Sequence, residues 1–205
     1  ACHGLMHDKD ECLLHFEEQK RRITKATRIL QKIIGYPPKG FRAPCLRANA
    51  NTLIILEKLG YTYDSSVLPS LVPGYYGYLT NFLRPYSPSF ASLTKKGKSR
   101  ILEIPVSVNP FFRIPLSGGW MRNLGVNWVK AGIRWNFNQR NPVIFYVHPR
   151  DVMTLPRVKG LPWHVYINTG TKTIKILDEV IGYAKKSGKI ITEMELAQMF
   201  LSKMI

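Results

Sequence analysis

The spacing of strand and helix patterns between residues 39 and 66 constrains the fold more than any other feature of the sequence. An extended stretch at residues 39–45 is followed by a helix predicted over residues 51–59 and by a second extended stretch at residues 61–64. Strands joined by a helical crossover lie parallel in one sheet, because a tight turn would pair them antiparallel. The pattern therefore predicts an α/β fold with a parallel sheet covered by helices.

Further elements are predicted on both sides of this unit. An amphipathic helix is expected over residues 16–34, where apolar side chains recur at helical spacing and Gly35 and two prolines follow. Residues 67–100 contain four prolines and are predicted to form loops or a hairpin. The remaining predictions are strands at residues 102–106, 142–147 and 190–191, helices at residues 126–137 and 171–186, and a last short helix opened by a Thr192-x-x-Glu195 capping box. With no internal repeat or linker, residues 1–205 are predicted to be one domain.

Composition limits the class of protein. A chain of 205 residues with 45% hydrophobic residues is typical of a globular protein, and no apolar run reaches the roughly 18 residues that cross a bilayer. No transmembrane segment is therefore expected. Three cysteines without a Cys-x-x-Cys pair argue against a disulfide framework and favour reduced thiols and a cytoplasmic location.

The net charge of +17 is concentrated in one segment. Residues 91–160 hold twelve Lys and Arg against two acids and so carry +10 of the total. Such a field attracts polyanions, so an anionic polymer is a candidate partner of residues 91–160. The alternative is a solvated basic surface. No zinc-finger spacing, aromatic RNA-binding signature or Arg-rich tail accompanies the charge, so nucleic acid is not expected.

Candidate reactive residues follow the predicted strands. His3 and His7 are four residues apart, a spacing that brings two imidazoles together for zinc, although two solvated histidines are the alternative. Arg42, Asp64 and His148 come at strand ends, where parallel α/β folds place their active sites. His148 precedes a proline in a stiff loop and is a candidate general acid, the alternative being a hydrogen-bonded rim histidine.

Five segments together resemble the polysaccharide deacetylases, the NodB-homology group of carbohydrate esterases. Residues 3–7 are similar to the His-x-x-x-His metal motif, residues 40–44 to the Arg-x-Pro motif, and residues 59–66 to the segment that follows it. Residues 117–122 resemble a Gly-rich turn with an aromatic residue and an arginine, and residues 145–149 resemble the final strand-His-Pro motif. The segments occur in the order of the family.

The resemblance implies a distorted (β/α) barrel and metal-dependent hydrolysis of N-acetyl groups on an amino sugar, a polysaccharide or a related amide. It assigns His3 and His7 as ligands of a divalent cation, expected to be Zn²⁺. Arg42 would orient the carboxylate of the catalytic base, and His148 would protonate the leaving amine. The backbone N–H of Cys45, after Pro44, would stabilise the oxyanion.

The Gly-rich turn is the remaining assigned element. By the resemblance, Ser117, Gly118 and Gly119 carry Trp120 towards the substrate, where the indole would wall the acetyl pocket or stack on a sugar ring. Packing of Trp120 in the core is the alternative.

One family motif is absent from the sequence. The Thr-Phe-Asp-Asp-like strand end that supplies a metal-binding Asp and the catalytic base does not occur, and the acids near the start (Asp8, Asp10 and Glu11) follow the histidine pair. We therefore expect the barrel to lack its first strand and helix, and the 205 residues on their own to be inactive or severely impaired. The alternatives are a non-catalytic carbohydrate-binding relative and a basic polyanion-binding protein.

Overall fold

The computed structural model describes residues 1–70 and 77–203. The chain forms two compact units. The first unit is Ala1–Val106 with Ile191–Ile205, and the second unit is Ser107–Ile190. The predicted single domain over residues 1–205 stays a prediction. Residues 71–76 of the predicted loop excursion lie outside the described residues.

Helices and short strands alternate along the chain. In order they are α1 (Phe16–Ile34), β1 (Gly40–Phe41), α2 (Ala50–Lys58), β2 (Tyr63–Asp64), β3 (Pro88–Ser89), β4 (Ser92–Lys96), β5 (Leu102–Glu103), α3 (Gly118–Leu124), α4 (Val126–Asn138), α5 (Pro149–Val152), α6 (Thr171–Ser187) and α7 (Glu193–Leu201). Short 3₁₀ turns occur at Glu11–Leu13, Pro44–Leu46 and Trp163–Tyr166.

A parallel sheet organises the first unit, in the order β1-β2-β5. Cys2 continues it beyond β1 through a parallel bridge to Phe41. Phe41 is buried and packs with Ile23 of α1 and with Leu53 and Leu56 of α2. The predicted α/β class and the parallel sheet are confirmed, although each strand is shorter than its apolar pattern.

α1 has the bounds that its periodicity predicts. Its apolar face buries Ile23 and Ala26, and the helix ends at Gly35, whose φ of 83° is the left-handed conformation favoured for glycine after a helix. The Gly35 N–H donates to the Gln31 carbonyl and so satisfies one of the last acceptors of the helix. α2 is capped by Asn49, whose side chain accepts the Thr52 N–H.

The second unit is mainly helical. Met121, Val129, Ile133 and Val180, from α3, α4 and α6, form its buried apolar cluster. The Gly-rich stretch predicted as a turn opens α3 instead.

Two predicted strands are not regular strands. The Ile144 carbonyl accepts the Ser107 N–H, but the Ile144 N–H donates to the Ser107 hydroxyl, so a side chain replaces the backbone acceptor that a ladder needs. Tyr146 makes a single parallel bridge to Ser117. Residues 190–191 make no strand and lead directly into the capping box of α7.

Within residues 1–70 and 77–203, no helix combines the length and the apolar character needed to cross a membrane.

Candidate functional site

The extension of the sheet at Cys2 positions His3. The Cys2 N–H donates to the Gly40 carbonyl at 2.8 Å, and the Arg42 N–H donates to the Cys2 carbonyl at 3.0 Å. His3 Nδ1 consequently lies 2.7 Å from the Arg42 carbonyl oxygen. Because a carbonyl oxygen only accepts, Nδ1 carries a proton, and in the neutral imidazole Nε2 then carries the lone pair. This is the arrangement that histidine ligands of metals commonly show.

The structure brings the two predicted ligands together. The His3 and His7 ring centroids are 4.9 Å apart in an edge-on arrangement, and both side chains are exposed. His7 reaches this position with a φ of 59°, in the left-handed region that non-glycine residues rarely adopt. Such a conformation persists only where the surroundings hold it, and it recurs at functional sites.

Glu11 holds the loop between the two histidines, a role that the sequence did not reveal. Its buried carboxylate accepts the backbone N–H groups of Leu5 at 2.7 Å, Met6 at 3.2 Å and His7 at 3.0 Å. A Cβ at Gly4 would lie 2.7 Å from Glu11 Oε2, so glycine is needed for this close approach. We call residues 3–7 the histidine loop.

The histidine loop fits a divalent cation in ligand type but supplies two ligands only. Neutral imidazole is a usual zinc ligand, and catalytic zinc sites have three protein ligands. In the part of the chain that the structure describes, no group of three or more His, Cys, Asp or Glu side chains is arranged to hold a metal ion.

Arg42 lies at the end of β1 and is fixed by several bonds. Its Nε donates to the Ser65 carbonyl at 2.9 Å and its Nη2 to the Ser65 hydroxyl at 2.7 Å. Nη2 also forms an ion pair with Glu193 of α7 at 2.5 Å. The carboxylate on Arg42 in this chain is thus Glu193, a contact between distant residues that no local pattern indicates.

The chain after Arg42 makes a strained turn. Pro44 is buried, whereas Cys45 is exposed and has a φ of 52°. The Ala43 N–H donates to the Ser66 hydroxyl at 2.8 Å, which ties this turn to the end of β2. The predicted oxyanion donor is the backbone N–H of Cys45. It therefore lies in a turn that is fixed by the hydrogen bond between Ala43 and Ser66.

Asp64 is enclosed rather than presented to a substrate. Only 1% of its surface is exposed, at the end of β2. Because Asp64 is so deeply buried, the structure does not support it as a residue that contacts substrate.

His148 precedes α5 in the second unit, where Asp151 contacts it. The Asp151 carboxylate accepts the His148 backbone N–H at 2.8 Å, and its Oδ2 lies 3.8 Å from His148 Nδ1. The opposite oxygen, Oδ1, pairs with Arg122 Nε at 2.9 Å, and both of these side chains are buried. Sequence reasoning missed Asp151, although an acid three residues after a helix N-cap is a recognisable capping signal.

The pKa of Asp151 reflects two opposing influences. Burial raises it, but hydrogen bonds from His148 and the charge and hydrogen bond of Arg122 outweigh that effect and lower the pKa to about 2. Asp151 is therefore a carboxylate at neutral pH.

The Gly-rich segment lies directly against Asp151. A Cβ at Gly118 would lie 2.4 Å from Asp151 Oδ2, whereas one at Gly119 would meet nothing within 4 Å. Ser117 is buried beside Tyr146, and Trp120 is half-buried on α3. Both interpretations of Trp120 stay open. The convergence of His148 with the histidine loop of the first unit also stays a prediction.

Two family models match separate segments of the chain. Residues 1–63 match the polysaccharide deacetylase family, so the predicted resemblance to polysaccharide deacetylases is confirmed. The chain belongs to the family of the domain of unknown function DUF3473, whose model matches residues 65–180, more than half of the sequence.

One relative and three solved structures illustrate the likeness. The peptidoglycan deacetylase-like protein FGM2 of Gibberella zeae is 34% identical over 67 residues, which is 33% of this chain and 20% of that protein. A structure assigned as a polysaccharide deacetylase of Mycobacterium smegmatis has a TM-score of 0.68 at 15% identity, over 99% of this chain and 63% of that one.

The two other structures have lower TM-scores. A structure assigned as a polysaccharide deacetylase of Pseudomonas aeruginosa PAO1 has a TM-score of 0.56 at 16% identity, over 97% of this chain and 58% of that one. PuuE allantoinase has a TM-score of 0.57 at 16% identity, over 96% of this chain and 56% of that one. At these identities the structures establish the fold alone, and the chain spans less than two thirds of each relative.

Proposed function

We propose that this chain is part of a metal-dependent hydrolase that removes N-acetyl groups from an amino sugar or polysaccharide. The observation that carries the proposal is the histidine loop, in which His3 and His7 lie side by side and His3 Nδ1 bonds to the Arg42 carbonyl. The polysaccharide deacetylase match of residues 1–63 covers this loop and supports the same chemistry.

His3 and His7 would hold the cation, with Zn²⁺ as the proposed ion because its preferred ligands include neutral imidazole. When bound, the cation supplies Lewis acidity to the amide carbonyl and to the attacking water. The third ligand would be the Asp that the family places in its first motif, which the 205 residues do not contain.

The other residues would act on orientation and proton transfer. Arg42, held by Ser65, would orient the carboxylate of the base through a charge-assisted bond. His148, with Asp151 beside its Nδ1, would deliver a proton to the leaving amine. The Cys45 N–H would donate to the developing oxyanion, and the segment from Ser117 to Trp120 would border the acetyl group.

The fold leaves the identity of the substrate open, since an allantoinase has it as well. The histidine loop favours the deacetylase proposal over a sugar-binding relative without catalysis, because such a relative has no need to orient two imidazoles. Polyanion binding by residues 91–160 is a separate proposal that rests on their charge.

The test uses the full-length protein and N-acetylated oligosaccharides, with acetate release and zinc content measured together. The double variant His3→Ala/His7→Ala should lose bound zinc and lose acetate release by at least about 10³-fold, because it removes two cation ligands. His15→Ala, at the N-cap of α1, is the matched control. Unchanged acetate release in the double variant would refute the proposal. Sugar binding by a protein that holds no zinc would support the non-catalytic alternative.

A further inference from the structure

Two carboxyl groups meet inside the first unit. Asp64 and Glu103 are paired residues on the neighbouring parallel strands β2 and β5, so their side chains leave the sheet on the same face. The exposed fractions are 1% for Asp64 and 0% for Glu103. Because the two residues are register partners and both are buried, their carboxyl groups lie in one enclosed region, where each influences the charge of the other. None of the roles assigned above uses this pair.

The hydrogen bonds divide the four oxygens into two kinds. Asp64 Oδ1 accepts the Ser66 hydroxyl at 2.6 Å, and Glu103 Oε1 accepts the Val67 N–H at 2.9 Å. Asp64 Oδ2 and Glu103 Oε2 are both enclosed and receive no hydrogen bond from any other group in residues 1–70 and 77–203. Two ionised carboxylates at this depth would leave both oxygens without a donor, which is costly in a low-dielectric interior.

The surroundings favour a bound proton. Burial is the largest influence and raises the pKa of both groups, and the charge of Asp64 raises that of Glu103 further. The positive charge of Arg42 opposes this rise without overcoming it. Among the residues that the structure describes, three other titratable groups interact electrostatically with the pair, namely Cys12, Tyr78 and Tyr86. Each is neutral at pH 7, because burial raises its pKa.

We propose that Asp64 and Glu103 share one proton at neutral pH, and that this pair acts through Ser66 to hold the Arg42–Pro44 turn in place. With the proton on Glu103, its O–H donates to Asp64 Oδ2, and every oxygen of the pair has a partner. The proton is taken from solvent when the chain folds and returns to solvent when it unfolds, so no other reactant is needed.

The connection to the turn is a chain of direct contacts. Asp64 accepts from Ser66, and the Ser66 hydroxyl oxygen accepts the Ala43 N–H at 2.8 Å. The adjacent Ser65 hydroxyl donates to the Ile104 carbonyl, next to Glu103, and accepts from Arg42. Asp64 and Glu103 are therefore positioning residues. This part of the inference rests on the proposed function, whereas the shared proton does not.

The first experiment counts the proton through folding and needs no substrate. Chemical denaturation of the full-length protein is followed between about pH 6 and 8. Above the unfolded pKa of about 4.3, the unfolded chain lacks the proton that the folded pair retains, so the folding equilibrium constant should fall about tenfold per pH unit from this source. The loss continues until the pH passes the raised folded pKa.

Amide variants of Asp64 and Glu103 test whether the pH dependence of folding comes from this pair. Glu103→Gln keeps an acceptor for Val67 and supplies a permanent donor to Asp64, so it should fold and lose the pair's tenfold dependence. Asp64→Asn should lose the same dependence, and the double variant should lose no more than either single one. Glu17→Gln, on the exposed face of α1, should keep the wild-type slope.

Infrared spectroscopy gives an independent readout. The wild-type protein should show a protonated-carboxyl band at neutral pH that both single variants lack. Two results would overturn the shared proton: a wild-type slope in Glu103→Gln, or effects of the two single variants that add in the double variant. If all variants fail to fold, absence of the infrared band from the wild-type protein also overturns it.

The second experiment tests the positioning role by acetate release. Asp64→Ala should lower kcat on the order of 10²-fold in a folded protein, because the turn that carries Arg42 and Cys45 loses its support. Asp64→Asn keeps the acceptor for Ser66 and should recover most of that loss. Equal kcat values for the alanine variant and the wild type would overturn the positioning role. Absence of acetate release from the wild-type protein would refute the proposed function and leave the folding result intact.

Discussion

The histidine loop and the region around His148 both contain a histidine, a buried carboxylate and a glycine, but the contacts of the carboxylate differ. Each places a histidine beside a buried carboxylate, Glu11 in one and Asp151 in the other, and each has a glycine pressed against that carboxylate. Glu11 binds backbone N–H groups, and the partner of His3 Nδ1 is an uncharged carbonyl. Asp151 instead lies beside the imidazole of His148 itself.

This difference separates two chemical roles. A metal ligand needs an imidazole that keeps a lone pair, and a backbone acceptor on the other nitrogen fixes the tautomer without adding charge. A general acid needs an imidazole held in one orientation towards the leaving group, and a carboxylate beside the ring can orient it. These contacts are our reason for proposing His3 as a ligand and His148 as the acid.

The largest expected effect concerns the partner of Asp151. Arg122→Met should destabilise the protein by about 3–5 kcal/mol, because it leaves a buried carboxylate without its cation. Chemical denaturation measures the change, and Arg150→Met, at an exposed position of α5, should stay within about 0.5 kcal/mol. Adding Asp151→Leu to Arg122→Met should restore part of the loss. A loss below about 1 kcal/mol in Arg122→Met would show that Asp151 does not depend on this arginine.

An intermediate effect is expected at Gly118, which packs against Asp151. Gly118→Ala should cost about 1–3 kcal/mol, because the added carbon would lie 2.4 Å from Asp151 Oδ2 and displace the carboxylate from His148. Gly119→Ala is the matched control, since nothing lies within 4 Å of its added carbon and alanine favours a helix. Thermal denaturation of the two variants should separate them. Equal midpoints would contradict the close packing of Gly118 on Asp151.

The smallest effect is expected in the histidine loop. Glu11→Gln keeps one acceptor for Leu5 but turns an amide towards the N–H groups of Met6 and His7, so the loop should loosen. Zinc affinity of the full-length protein, measured by calorimetry, should fall about 10–100-fold, as for other residues that support metal ligands. Glu17→Gln should leave the affinity unchanged. An unaltered affinity in Glu11→Gln would show that the histidine loop needs no such support.

The sequence predicted the parts that depend on local pattern. The bounds of α1, the parallel strands around α2 and the proximity of His3 and His7 follow from periodicity, spacing and motif. The contacts of Glu193 with Arg42 and of Asp64 with Glu103 join residues far apart in the chain, so no local pattern contains them. The strand predicted over residues 142–147 was wrong because an apolar β-branched run predicts a strand whether or not a neighbouring backbone supplies its acceptors.

The pairing of Arg42 with Glu193 also bears on the order in which the chain folds. These residues are 151 positions apart, and the first unit includes α7, which follows the second unit in the sequence. The second unit is one continuous segment. During synthesis, residues 107–190 emerge as one continuous unit, whereas residues 1–106 gain their contacts with α7 only after that unit has emerged. We therefore expect the turn that carries Arg42 to be among the last parts to become ordered on the ribosome, since closing so long a loop is slow.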